Sequence, residues 1–191
     1  MKMSKIQWKG GALLSPLPAV LVTCSDGKKD NVLTIAWTGI LSSDPPRMYV
    51  SVRKERVSYP MIKESREFCV NLPTEKMTRA LDYCGVKPGD EFDKFADMRL
   101  TKQPSFTVSC PSIAESPLTL ECKVFDVIES GSHDIFMADI TAVSCDESLI
   151  DAKGRLALDK AGLVAYAHGE YFALGEKLGS FGYSVRKKAK R

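Results

Sequence analysis

The chain has 191 residues, 44% of them hydrophobic and 27% charged, with a formal net charge of +3. That balance excludes a largely disordered chain and leaves ample sequence for one buried core. Much of the excess charge falls after Tyr183, in Arg186, Lys187, Lys188, Lys190 and Arg191, so the body is close to neutral.

At the N-terminus, Lys2, Lys5 and Lys9 precede the run GALLSPLPAVLVTC, which has the outline of a cleaved leader. Pro16 and Pro18 break the apolar helix a leader needs, Thr23 is a poor neighbour for a lipidated Cys24, and the run is too short to span a bilayer. A first core strand over 19–25 explains it better. The six cysteines form no C-x-x-C pair, and only two histidines are present, far apart. A zinc site therefore has little support, and the cysteines read as reduced thiols of a cytoplasmic protein.

After that strand, SDGKKDN is a hairpin turn, with Asp26-Gly27 supplying left-handed geometry. Residues 32–38 and 48–53 are rich in β-branched and aromatic side chains and are expected as strands, separated by the break at Pro45 and Pro46. The second strand leads into a basic, hydroxyl-bearing turn, Arg53 to Ser58. A helix follows over 59–65, with Ser58 as its N-cap and Pro60 in its first turn. EFCVNL is a short strand ended by Pro73. Residues 74–83 form a second helix, capped by Thr74, with Met77, Ala80 and Leu81 on one face. GVKPGDEFDKFADM is a loop.

From Leu118 the pattern alternates, with Leu118, Leu120, Cys122 and Val124 on one side and Thr119, Glu121 and Lys123 on the other. A turn at 130–132 leads to a partner strand over 135–144. Residues 156–166 are ambiguous, and a short helix is expected around 174–178. No repeat or linker divides the chain, which reads as one domain with a core from about 14 to 182 and a basic tail, 184–191. The tail reads as a solvated, frayed C-terminus; contact with nucleic acid or an anionic surface is the lesser alternative.

Many short strands with hairpin signals and few helices predict a mainly β protein, an antiparallel barrel with helical caps. They exclude a doubly wound sheet. No G-x-G-x-x-G follows a strand, because Gly175, Gly179 and Gly182 have the wrong spacing; there is no P-loop and no G-x-S-x-G elbow. Cys84 as a nucleophile finds neither His133 nor His168 near it in sequence. The positive signal is the turn after the second strand. Arg and Ser side chains beside a helix start, where backbone N–H groups point outward, suit a phosphate.

The ordered pieces SPLPAVLVT, NVLTIAWTGILSSDPP, VSVRKERVSY, EFCVNLP, CG followed by GDEFDKF, GSHDIFMADI and EYFALGEKLGSFG extend the argument. As a set, covering roughly residues 14–182, they resemble the flavin reductase-like, FMN-binding split-barrel family, and within it the flavoredoxin and archaeal ferric reductase branch. The resemblance implies a Greek-key split barrel, a homodimer and FMN near the subunit interface. It implies an isoalloxazine lying against the strand Thr34-Ile35-Ala36-Trp37-Thr38, largely through main-chain groups, with Asn31 serving either the ligand or the turn. Ser51, Arg53, Arg56 and Ser58 would meet the phosphate, with Val52 also among the cofactor-binding residues; the alternative is a solvated turn with Ser58 only a cap. His133 would stand near the ring or be a plain hairpin residue. Lys94 would reach the ligand across the dimer or be a surface lysine. Trp37 would border the flavin or fill the core, and Asn71 would lie near the site or merely end a strand. One departure is CGVKPGDEFDKF, where relatives carry a Ser-Gly step; Pro88-Gly89 stiffens this turn and puts contact from Cys84 in doubt.

The same resemblance implies an oxidoreductase in which NADH or NADPH, as a transient donor, passes hydride from its C4 to flavin N5. Electrons would then go to free flavin, ferric iron or a redox protein acceptor. The alternative is a non-enzymatic FMN electron carrier. A nucleic-acid-binding barrel would need more aromatic platforms than Tyr49 and Trp37 provide. Neither a nucleic acid, a membrane nor a resident metal is expected as a partner.

Overall fold

A computed structural model describes residues 4–186; Lys2 and tail residues 187–191, with Lys187, Lys188, Lys190 and Arg191, lie outside the described residues. Twelve strands and three α-helices follow one another. The strands are β1 (Leu17–Pro18), β2 (Val20–Ser25), β3 (Asp30–Ile35), β4 (Thr38–Ser43), β5 (Pro46–Arg53), β6 (Glu67–Asn71), β7 (Lys102–Gln103), β8 (Ser112–Ile113), β9 (Leu118–Ser130), β10 (His133–Cys145), β11 (Val164–Ala167) and β12 (Glu170–Ala173). The helices are α1 (Ser58–Ser65), α2 (Thr78–Val86) and α3 (Lys94–Met98).

Seven strands form one antiparallel sheet in the order β3-β2-β6-β9-β10-β5-β4. Its two edges, β3 and β4, are consecutive in the chain and joined by Ala36 and Trp37, so the sheet curls back on itself. The Ser51 N–H extends the β4–β5 ladder by donating to the Trp37 carbonyl at 2.9 Å. This is the antiparallel barrel expected from the strand pattern, in the split form that the resemblance implies. Small side sheets, β1-β11-β12 and β7-β8, lie against it.

Inside the barrel pack Val22, Val50, Val52, Phe68, Cys122, Phe136 and their neighbours, closed at one end by Met61 and Ile62 of α1. Outside, Leu21 and Val32 meet Leu81 and Cys84 of α2 and Phe95 of α3. Strand β2 is thus buried on both faces, which is why its sequence is a continuous apolar run rather than an alternation. No helix among the described residues is long and apolar enough to cross a membrane.

Several expectations change. The strand expected over 32–38 stops at Ile35, and a separate strand, β4, fills the gap before Pro45. Ile40 and Leu41 of β4 are exposed, so no one-sided burial pattern marks it. The segment after Thr74 divides into a 3-10 turn, Glu75–Met77, and α2. The loop before Arg99 contains α3, capped by the Asp93 side chain, which accepts from the Ala96 N–H at 3.1 Å. Residues 174–178 carry no helix. On β9, Thr119 and Glu121 are as buried as their alternating partners, because a chain segment covers that face.

Candidate functional site

Strand β3 pairs with β2 on one side only, so backbone groups on its other side are free to meet a ligand. Along this edge runs a cleft of about 410 Å3, bordered by Thr34, Ala36, Trp37 and His133 on one side and by Asp82, Gly85, Tyr166 and Tyr171 on the other. A recess of about 300 Å3 lies at one end, lined by Asn31, Ser58, Lys87, Gly89 and Lys94. A smaller hollow of about 100 Å3, against Ile35, Ser51 and Val52, lies between them. Arg53 and Arg56 border all three spaces.

The turn that carries these arginines is built by its own backbone. The Arg56 N–H donates to the Arg53 carbonyl at 3.1 Å and the Tyr59 N–H to the Arg56 carbonyl at 2.8 Å. Below the turn, Asp134 is 1% exposed. It accepts from the Tyr59 hydroxyl at 2.6 Å and pairs with Lys54 Nζ at 3.2 Å. Burial would raise its carboxyl, but the Tyr59 hydroxyl and the Lys54 ammonium outweigh burial and hold it below the ordinary carboxylate range. Lys54 is thereby tied to Asp134, while Arg53, paired with Glu55 Oε1 at 3.0 Å, and Arg56 border the open spaces.

Ser58 is the first helical residue rather than the cap, a position held by Val57 without a side-chain cap bond. The Ser58 hydroxyl instead accepts from Asn31 Nδ2 at 2.9 Å, with both residues buried. Asn31 is therefore tied to the recess floor. Gly89 approaches so closely that a Cβ there would stand 2.5–2.7 Å from the Asn31 amide. Gly89→Ala is expected to break the Asn31–Ser58 bond and destabilise the fold by about 1–3 kcal/mol; thermal unfolding of the variant checks this. An unchanged melting temperature contradicts the packing described.

Trp37, at 41% exposure, stands at the rim and not in the core. Its ring meets the His133 imidazole with centroids 4.5 Å apart. Burial, reinforced by Arg53, lowers the His133 pKa below its ordinary value, so the ring is neutral near pH 7. Ser132 Oγ lies 2.8 Å from its Nδ1. Thr34 Oγ1 donates to the Leu81 carbonyl, and Gly85 passes close above it; β3 and α2 are held together there.

Two expected site residues line none of the three spaces. Thr38 Oγ1 donates to the Tyr49 carbonyl and fixes the β4–β5 pairing. Asn71 is fully buried: its Nδ2 donates to the Leu21 carbonyl at 3.0 Å, and its Oδ1 accepts from Ile113 N–H and Thr119 Oγ1, each at 2.9 Å. Its hydrogen-bonding capacity is spent on the core. Lys94 lines the recess, but it is buried within its own chain, donating to the Val32 and Cys84 carbonyls at 2.8 and 3.0 Å. The Cys84 thiol is buried, and burial pushes it up to about 11, which does not suit a nucleophile.

The residues sequence reading missed, Lys87, Gly89, Asp82, Tyr166 and Tyr171, lie on a loop, on α2 and on short strands whose packing only the assembled fold reveals. The Pro88-Gly89 step was the one available signal.

A flat cleft beside a free strand edge, ending in a cationic recess with a buried hydroxyl, has room for a planar ring system and one phosphate. The comparisons agree with that chemistry. The model of the flavin reductase like domain matches residues 13–175. Flavoredoxin of Desulfovibrio vulgaris (Miyazaki F) is 33% identical and superposes with a TM-score of 0.89 over 96% of this chain and 100% of its own. Flavoredoxin from Methanosarcina acetivorans gives 25% identity and a TM-score of 0.87 over 96% and 100%. The stachydrine N-demethylase reductase subunit Stc3 of Rhizobium meliloti is 27% identical over 83% of this chain and 61% of its own length. With the domain model spanning most of the sequence and a 33% identical structure covering nearly all of it, the chain belongs to the flavin reductase-like domain family.

Proposed function

We propose that this protein binds FMN and acts as an oxidoreductase that accepts hydride from NADH or NADPH and passes electrons to free flavin, ferric iron or a protein acceptor. The observation that carries the reading is that Arg53 and Arg56 border both the long cleft and the cationic recess. A ring and its phosphate then fall on one continuous surface. The volumes suit a cofactor site, for which about 300–1,000 Å3 is usual.

Thr34 of β3 and Ala36 and Trp37 of the link that follows it would hold the ring. Arg56 and Ser58, the first residue of α1, would hold the phosphate. The ring carries the redox chemistry when bound, and the protein supplies position and nearby charge. Neutral His133 and the guanidinium groups of Arg53 and Arg56 set that charge. Among the described residues, the cationic recess beside the cleft suits a single phosphate, which favours the mononucleotide.

A second reading, a non-enzymatic electron carrier, is favoured by the flavoredoxin likeness. Steady-state oxidation of NADH or NADPH by the purified protein supports the enzyme. A bound flavin that neither nicotinamide reduces supports the carrier. We also propose a homodimer with the FMN site near its interface, supported by exposed apolar side chains on β4 (Ile40 and Leu41) and near the C-terminus (Phe172 and Leu174).

Arg56→Ala is expected to weaken FMN binding by about 1.5–3 kcal/mol, roughly 10- to 150-fold in Kd. Flavin fluorescence titration measures it, and an unchanged Kd removes Arg56 from the phosphate site.

A further inference from the structure

Away from the cleft, residues 102–113 form a strap across the outer face of β2, β6 and β9. The strap is pinned at several points. Thr23 Oγ1 donates to the Pro111 carbonyl at 2.6 Å, and Glu67 Oε2 accepts from the Ser109 N–H at 2.7 Å. Glu121 accepts from the Phe106 N–H at 2.8 Å, and Asn71 accepts from Ile113 at the far end. Under its centre, Cys69 of β6 faces Cys110 of the strap. Their Sγ atoms are 3.7 Å apart, and the residues are 0% and 1% exposed. Both thiols are free.

We propose that Cys69 and Cys110 are a reversible dithiol site that a hydroperoxide converts to a disulfide, locking the strap to the barrel. The inference is independent of the flavin assignment.

Three features support it. The sulfurs lie on different elements, one a rigid sheet strand and the other a loop, so a small shift of the loop closes the gap to a bond of about 2.05 Å. A hydroxyl also stands beside the pair. Ser105 Oγ lies 3.3 Å from Cys69 Sγ and gives its own proton to the Cys110 carbonyl at 2.7 Å, which leaves its lone pairs to accept from the Cys69 thiol. Finally, Cys69 differs from the other buried thiols. Its hydrogen bond with the Cys110 thiol lowers its pKa below the ordinary thiol value while raising that of Cys110, whereas burial pushes Cys24 up to about 12 and Cys84 up to about 11. A lower pKa means more thiolate, the form that reacts.

The chemistry balances in two steps. Cys69 Sγ attacks the hydroperoxide, the O–O bond breaks, and sulfenic acid and an alcohol (water, for hydrogen peroxide) form. Cys110 Sγ then attacks the Cys69 sulfur, the S–O bond breaks, and the hydroxyl leaves as water with the Cys110 proton. In sum, two thiols and one hydroperoxide give one disulfide, one alcohol and one water; two electrons pass from sulfur to oxygen. A small dithiol reverses the change by thiol–disulfide exchange.

The test exposes the full-length protein to hydrogen peroxide, quenches with an alkylating agent in denaturant, and maps the unreduced peptides by mass spectrometry. The expected result is loss of two of the six thiols, a Cys69–Cys110 linked peptide lighter by two hydrogens, and recovery with dithiothreitol. Protease cleavage within the strap slows in the oxidised form. In Cys110→Ser, Cys69 should stop at the sulfenic acid and be trapped by dimedone. Folding of that variant is checked by its circular dichroism, and wild-type peptide mapping stands on its own if it fails to fold. Full alkylation of both Cys69 and Cys110 after peroxide overturns the proposal, as does oxidation confined to exposed Cys145.

Discussion

Glu121→Ala is expected to destabilise the protein by about 3–5 kcal/mol and to release the strap from the barrel. The carboxylate is 1% exposed yet is not paired with a cation. Its partners are strap donors: the Phe106 N–H at 2.8 Å, the Thr107 N–H at 2.6 Å and Thr107 Oγ1 at 2.7 Å. Hydrogen bonds to a charged group contribute roughly 1.5–3 kcal/mol each, and their sum is not additive. Alanine leaves the two N–H groups facing a void, with no replacement acceptor. Chemical denaturation measures the loss, and rapid proteolysis near Phe106, already 77% exposed, reports the loosened strap. A loss below about 1 kcal/mol contradicts the view that one carboxylate anchors this segment.

The pH dependence gives a second reading of the same residue. Burial tends to raise the Glu121 carboxyl, but the Phe106 and Thr107 donors prevail and hold it below its ordinary value of 4.5. The folded state therefore binds the proton less readily than the unfolded chain. This contribution is fully present above pH 4.5 and is lost as pH falls through the lower folded value. Glu121→Gln, which keeps the shape but not the charge, should show a shallower stability decline on the acid side than the wild type.

The sequence makes some of this legible and conceals the rest for physical reasons. The β9–β10 hairpin is plain because apolar and polar residue types alternate along the first half of β9, although burial follows that alternation only on β10. Strand β4 is hidden because its outer face keeps exposed apolar side chains, so no polar–apolar alternation forms. Glu121 reads as a solvated residue on an alternating strand; nothing local announces that a segment 14 and 15 residues away covers it.

The site divides in the same way. The Arg53–Ser58 turn is legible because basic and hydroxyl residues concentrate within a few positions, and the fold does bring both arginines to the cleft. Asn71 shows the opposite failure. A polar residue ending an apolar strand looks available for a ligand, but its partners Leu21, Ile113 and Thr119 come from distant parts of the chain and consume it. Trp37 looks like core because it follows an apolar run; the chain turns at Ala36 and carries the ring to the rim.

Lys94→Ala is expected to lower stability by roughly 2–4 kcal/mol and to weaken phosphate binding in the recess. Lys94 is 4% exposed, and its ammonium joins β3 to the end of α2 through the Val32 and Cys84 carbonyls. Removing it orphans two buried acceptors, at about 1–3 kcal/mol each, and empties the space of three methylenes and the ammonium. Relief of the buried charge offsets part of this. Burial, the largest influence on the ammonium, lowers its pKa from 10.5, so the charge is held at some cost in solvation. The unfolded chain then binds the proton more tightly, and the Lys94 contribution grows as pH rises from the lowered folded value toward 10.5. Lys94→Met separates the two effects, because it fills the void while leaving both carbonyls unpaired. It should recover part of the stability but none of the affinity for FMN. If Lys94→Met binds FMN as tightly as the wild type, the lysine is a strut between β3 and α2 and contributes no charge to the recess.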